Sequence, residues 1–218
     1  MKIKWFGHSA FLITADDGTR VITDPYVAGA YDGAVGYRKI TERADAVTVS
    51  HEHPDHNGSA GLPGSPQILK GRGPFTVKGI RITGFDTFHD SSQGQERGRN
   101  TVYVYEVDNL RIVHLGDLGH IPDDATLKAL GRVDVLLVPV GGVFTIDSVA
   151  AHQLTRLLNP KVVIPMHYKT LKLGFQIAGV EEFIKLAPNP RRIGSSEVEI
   201  SLARLPEATE TWVLAPAL

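Results

Sequence analysis

The stretch Val47-Thr48-Val49-Ser50-His51-Glu52-His53-Pro54-Asp55-His56-Asn57 decides how this chain is read. Its first half is apolar and rich in β-branched residues, the composition of a buried strand. Its second half places three histidines and an aspartate within six positions. In an extended strand, residues two apart point to the same side. The spacing therefore predicts that His51 and His53 offer their imidazoles to one point. Pro54 fixes its own φ and cannot extend a central strand, so a turn is expected there. That turn carries Asp55 and His56 round to a second point nearby. Imidazole suits zinc and iron while carboxylate suits harder ions, so the expected site is a mixed N/O metal site.

Composition narrows the class further. The chain has 218 residues, 42% hydrophobic and 22% charged, so residues 1–218 are read as a single domain with a sizeable core. A net charge of −1 provides no overall basic field, and no nucleic-acid partner is expected. There is no cysteine, so a metal site must be built from nitrogen and oxygen alone. The apolar run at the N-terminus is too short for a signal peptide, and no run reaches the length of a membrane span. The expectation is a cytoplasmic enzyme acting on a small molecule, with no membrane partner. A homo-oligomer is left open.

Outward from the central stretch, Lys2 to Phe6, Ala10 to Thr14 and Arg20 to Thr23 read as strands separated by turn-like Gly7-His8-Ser9 and Asp16-Asp17-Gly18. Residues 25–45 form a glycine-rich loop with Tyr26, Tyr31 and Tyr37, suited either to a pocket wall or to a surface loop. Gln67 to Leu69, Phe75 to Val77 and Ile80 to Phe88 read as a strand meander ending at His89. A polar loop from Ser91 to Asn100 carries Arg97 and Arg99, followed by strands Thr101 to Val107 and Leu110 to Leu115 and then Gly116-Asp117. Helical spacing covers 123–130 and 147–158, the latter with Val149, Leu154, Leu157 and Leu158 on one side. Val133 to Val138 and Lys161 to Pro165 read as buried strands, the second ending in Met166-His167. A short helix from Val180 to Leu186, a proline-rich link, and strands at Val198 to Leu202 and near Trp212 to Leu214 complete the chain.

The run His51-x-His53-x-Asp55-His56 resembles the signature of the metallo-β-lactamase superfamily of binuclear metallohydrolases, with the UlaG-like group of small hydrolases as the nearest likeness. The resemblance implies an α/β fold: a four-layer αββα sandwich of two facing sheets with helices outside. It also implies two divalent metal ions, zinc first, with manganese or iron as alternatives. By resemblance, His51, His53 and His89 hold one metal, Asp55, His56 and His167 the other, and Asp117 bridges them. Asp24 supports a ligand from behind. His8 lies in a turn that the family places near the site mouth, where it is either a substrate or supporting contact or an ordinary loop histidine. Arg97, Arg99 and Lys169 follow candidate ligands and either meet an anionic substrate group or are solvated. His114 and His120 are left outside the ligand set, and His152 is read as an ordinary helix residue.

The chemistry implied is hydrolysis by a metal-bridging hydroxide, two cations lowering the pKa of a shared water from 15.7 toward about 7. Asp55 is expected to orient that hydroxide or to take up its proton. The expected substrate is an ester, lactone or phosphodiester, anionic in character. Two other readings compete: a nucleic-acid processing member of the same superfamily, and a non-hydrolytic metal-binding or redox protein on the same scaffold. The short, nearly neutral chain, with no added arm, weighs against the first. The lack of an adjoining flavin-type domain weighs against the second.

Overall fold

A computed structural model describes all 218 residues. The chain opens with β1 (Lys2–Gly7), β2 (Ala10–Thr14) and β3 (Arg20–Thr23), followed by β4 (Ala46–Val49) and β5 (Gln67–Lys70). Next come β6 (Gly73–Val77), β7 (Ile80–Phe88), β8 (Arg99–Val107) and β9 (Leu110–His114). The second half contains α1 (Asp124–Leu130), β10 (Val135–Pro139), α2 (Ser148–Leu158), β11 (Val162–Met166) and α3 (Val180–Ile184), then β12 (Pro190–Arg192), β13 (Glu197–Glu199) and β14 (Glu210–Val213). These strands form two sheets. One has the order β13-β1-β2-β3-β4-β5, the other β12-β14-β11-β10-β9-β8-β7-β6.

In the smaller sheet, successive side chains enter different layers, as the period of two requires. Trp5, Phe11, Ile13, Val21 and Ala46 join the main core together with the larger sheet. Phe6, Leu12, Ile22, Val47 and Val49 face a second cluster with Tyr26, Val35, Tyr37, Leu173 and Ile177. The fourth layer over this sheet is thus irregular chain, where the sequence reading expected helix. Each fully buried large apolar side chain contributes roughly 1.5–3 kcal/mol, so both layers matter to stability.

Helix α2 starts as expected, with the Asp147 carboxylate accepting the Ala150 N–H. Its buried face is Ala151, Leu154, Thr155 and Leu158, whereas Val149 and Leu157 are exposed. The expected grouping of Val149 and Leu157 with the core is therefore corrected: they fall off the stripe that meets β10. The segment read as a proline-rich link includes β12, which pairs parallel with β14. No helix is long and apolar enough to cross a membrane.

Strand direction positions the site. β1 is antiparallel to β2 and β2 to β3, while β3 and β4 are parallel, so β1, β3 and β4 point the same way. β7, β9, β10 and β11 likewise share one direction in the larger sheet. The two sheets are joined where those strands end. Thr101 N–H donates to Ser50 O at 2.9 Å, and His167 N–H to His8 O at 3.1 Å. Nearby, the Tyr103 hydroxyl donates to Val49 O at 3.0 Å.

Candidate metal centre

Each chemistry-bearing residue follows the C-terminal end of a strand: His8 after β1, Asp24 after β3, His51 to His56 after β4, His89 after β7, Asp117 after β9 and His167 after β11. Three of them leave their strands in the left-handed region, with φ of 52° at His8, 38° at Asp24 and 50° at His167. Non-glycine residues held there are strained and cluster at functional sites. The turn into Asp117 also depends on close approach. A Cβ on Gly116, whose φ is 56°, would lie 2.4 Å from Asn100 Oδ1.

β4 stops at Val49, before both histidines, whereas the alternation argument needs extended strand through His53. His51 and His53 therefore do not converge by strand periodicity. They converge because the chain bends through 50–53 before the turn at Pro54, bringing their rings 4.6 Å apart and edge to face. That turn is closed by the N–H groups of His56 and Asn57, which donate to His53 O at 2.9 and 3.0 Å.

Three clusters of potential ligand atoms result, each within 4.8 Å: Asp24, His51 and His56 on the buried side, and two flanking the pocket, His51, His53 and His89, and His8, Asp55, His56 and His167. Asp117 lies between the latter two. Its Oδ2 is 3.2 Å from His56 Nε2, 3.2 Å from His167 Nε2, 3.3 Å from His89 Nε2 and 3.9 Å from His51 Nε2. His51 Nε2, His56 Nε2 and Asp117 Oδ1 are buried without a hydrogen-bond partner. Orphaned buried polar atoms are costly, and imidazole nitrogens converging on a carboxylate fit divalent cations with N/O preference.

The layer behind these atoms fixes their orientation. Asp24 is fully buried. Its Oδ1 accepts Ser50 N–H at 2.8 Å, and its Oδ2 accepts the Ser50 hydroxyl at 2.5 Å and His56 Nδ1–H at 2.9 Å. His51 Nδ1 lies 3.0 Å from Ser50 Oγ and donates to it, because that hydroxyl proton is already given to Asp24. One carboxylate thus sets the tautomer of both rings and aims both Nε2 atoms inward. Asn100 performs the same service for Asp117: its Oδ1 accepts Asp117 N–H at 3.0 Å, and its Nδ2 donates to Leu115 O at 2.9 Å. His114 points elsewhere, donating from Nε2 to Ser9 O at 2.9 Å and accepting Gly116 N–H at Nδ1.

The charges sort themselves. Burial lowers His51 to about 3, with His56 adding to the effect, and lowers His8 to about 4 with His167. Burial also depresses His89 and His114. These rings are neutral at ordinary pH. Burial alone would raise the carboxyls of Asp24, Asp55 and Asp117. Imidazoles outweigh it and hold all three below their usual range: His56 at Asp24, His56 and His8 at Asp55, and His167 and His56 at Asp117. Only His56 moves up, because Asp117, Asp55 and Asp24 together overcome its burial. A cation requires ionised carboxylates and neutral imidazoles, so binding one here would displace the proton that the carboxylates hold on His56.

A pocket of about 270 Å³ opens over this centre, lined by His53, Asp55, His89, Asp117 and His167 with Tyr31, Arg97, Phe144 and Phe175. Tyr31 donates to Asp55 Oδ1 at 3.3 Å, and burial and that carboxylate push its phenol up to about 12. Phe175 stacks edge-to-face on both Tyr31 and Phe144. Arg97 is placed by Asp90, whose carboxylate accepts four backbone N–H groups, from Ser92, Gly94, Glu96 and Arg97.

Of the alternatives open for His8, the structure places it as a supporting contact: it is fully buried and its Nε2 lies 2.9 Å from Asp55 Oδ2. Lys169 donates to Phe175 O at 2.8 Å, which ties it to the backbone outside the pocket. Arg99 lines an adjoining cleft beside His51 and His53, and only Arg97 reaches the pocket itself. His120 accepts Phe88 N–H at 3.3 Å and stays outside the pocket. The sequence reading missed Ser50, Asn100, Asp90 and Phe175. Of these only Ser50, beside His51 at a strand end, carried a local signal.

Fold and site together define a metallohydrolase of the two-sheet kind. The chain belongs to the β-lactamase superfamily, whose domain profile matches residues 2–167. It is 31% identical to a UPF0173 metal-dependent hydrolase from Thermococcus onnurineus, over 78% of this chain and 85% of that protein. It is 33% identical to a UPF0173 protein from Pyrococcus furiosus, over 85% and 90%. Among solved structures, a Thermotoga maritima protein of the metallo-β-lactamase superfamily superposes with a TM-score of 0.81. That pair is 37% identical and covers 98% of this chain and 97% of the other.

Proposed function

We propose that the protein is a binuclear metal-dependent hydrolase of a small, anionic ester, lactone or phosphodiester, as the UlaG-like likeness of its motif suggests. The observation that carries this reading is the convergence of His56, His89 and His167 on one oxygen of Asp117, at 3.2–3.3 Å, with a cluster of further donors on either side. His51, His53 and His89 would hold one ion, Asp55, His56 and His167 the other, and Asp117 both. Zinc suits the imidazole-rich set best, with manganese or iron as alternatives. Bound there, two such cations supply a water of lowered pKa and polarise the oxygen of the scissile group. Asp55 lines the pocket with Oδ1 facing Tyr31, so it is the base that takes up a proton as water is consumed. His8 holds the other oxygen of Asp55 in place. Arg97 at the rim favours an anionic substrate, and a pocket of about 270 Å³ suits a small molecule better than a nucleic acid.

Elemental analysis of protein purified without chelator should give about two metal ions per chain, since seven donors exceed one tetrahedral set. No more than one equivalent after full loading overturns the binuclear reading. A panel of esters, lactones and phosphodiesters addresses the reaction. Turnover of an anionic member, lost on chelation and restored by zinc, is expected. Two bound metals with no turnover of any member would remove the hydrolytic reading.

A further inference from the structure

Arg97 and His53 line two concavities at once. The first is the pocket over the metal centre, walled by Tyr31, Phe144 and Phe175. The second is a cleft of about 620 Å³ that contains Lys70, Arg72, Arg97 and Arg99 against only Glu52 and Asp86. Lys70 is paired with Glu52 at 2.6 Å, whereas Arg72 and Arg99 enter no ion pair. In a chain of net charge −1, two unpaired guanidinium groups beside a metal centre are a local concentration of positive charge. Guanidinium forks match the oxygens of phosphate and carboxylate.

The aromatic side is also built. Phe144 follows Val143, a β-branched residue at φ 63°, in a three-residue turn closed by Phe144 N–H donating to Gly142 O at 2.7 Å. This is the rarer, strained form of such a turn. It delivers the Phe144 ring between Phe175, 5.7 Å away, and the Arg97 guanidinium, 5.8 Å away. Strain kept at the lip of a pocket points to a function for the side chain it aims.

We propose that the substrate has two parts: an apolar, preferably aromatic group that enters the Tyr31–Phe144–Phe175 pocket, and a phosphate or carboxylate that lies in the Arg72–Arg99 cleft. The bond to be cleaved lies between them, at His53. This rests on the hydrolase reading above and names its substrate class. In the ester case, water oxygen bonds to the acyl carbon, the C–O bond breaks, and the alkoxide leaves with one of the water's protons. The second proton is released with the acid. Phe144 then sets preference for the apolar part, and Arg72 with Arg99 for the anionic part.

The test is calorimetric binding to the zinc-loaded protein of 3-phenylpropyl phosphate, propyl phosphate and 3-phenylpropanol, with 5-phenylpentanoate as the carboxylate arm. The joined probes should bind at least about tenfold tighter than either half, the gain expected when charge-assisted hydrogen bonds add to ring burial. Arg72→Ala with Arg99→Ala should cost about tenfold for the anionic probes and nothing for the alcohol. Phe144→Ala should remove the gain from the ring and leave propyl phosphate unchanged. If the halves bind as well as the joined probe, or the double variant keeps its full phosphate affinity, the two-part substrate is overturned. Comparison of the phosphate and pentanoate arms tells which anion the cleft takes. Turnover is read separately on phenylacetyl esters with and without a distal carboxylate. Failure of turnover alone counts against the hydrolase reading, while the binding data judge this proposal.

Discussion

Asp24 and Tyr31 sit a few residues apart, and both end in contact with the same centre, yet they are held in opposite ways. Asp24 is fully buried and accepts three hydrogen bonds, from Ser50 N–H, Ser50 Oγ and His56. Tyr31 is 46% exposed and makes one bond of 3.3 Å, to Asp55, with its ring resting edge-on against Phe175. The floor around Asp24 has no freedom left, because a buried carboxylate must keep every partner it has. The rim around Tyr31 is made of ring edges, an arginine and solvent, and such contacts rearrange at little cost. The floor therefore fixes what chemistry is done, and the rim fixes to what.

The largest expected effect comes from Asp117→Ala, which removes the oxygen on which both donor clusters converge. Hydrolysis should fall to background while circular dichroism stays native, and elemental analysis should show metal lost. Wild-type turnover with two metals retained would break the assignment. Next is Asp24→Ala, which frees the Nδ1 sides of His51 and His56 together. A supporting partner of this type is worth about 10–100-fold in metal affinity, measured by chelator competition. Ser50→Ala should cost less, because it loosens His51 and leaves the His56–Asp24 bond. Equal losses from the two would mean that the relay through Ser50 carries everything.

At the rim, Tyr31→Phe deletes one long hydrogen bond, worth about 1 kcal/mol or less. Metal content and thermal midpoint should stay as in the wild type, and kcat/KM should change by less than about tenfold. A loss of metal in this variant would erase the difference between floor and rim. The smallest effect is expected for His152→Ala, on helix α2 away from both, with a stability change within about 0.5 kcal/mol and no kinetic effect.

The cluster of potential donors was legible where chemistry is concentrated in sequence. Three histidines and an aspartate between positions 51 and 56 announce a site by themselves, and His89, Asp117 and His167 were placed by resemblance at predicted strand ends. The parts left open were those where direction matters. His8 sits in a turn, and turns are commonly exposed, so nothing local signals that φ 52° folds it behind Asp55. Lys169 follows a ligand as Arg97 follows His89, yet one is tied to Phe175 O and the other faces the pocket. Asn100 and Phe175 belong to segments with no periodic or compositional mark, and their roles exist only through partners far along the chain.

By itself the sequence determined the alternation of buried strands, the helical spans at 123–130 and 147–158, the absence of thiolate ligands and the donor types of the site. These depend on local period, on side-chain chemistry and on a few neighbouring residues. Only the tertiary structure decided that β1, β3, β4, β7, β9 and β11 all end on one edge, that a single carboxylate orients two imidazoles, and that the layer over the smaller sheet has no α-helix. Those outcomes depend on how two sheets face each other across a shared core. The energy that selects that arrangement is summed over contacts between residues distant in sequence, which no local window contains.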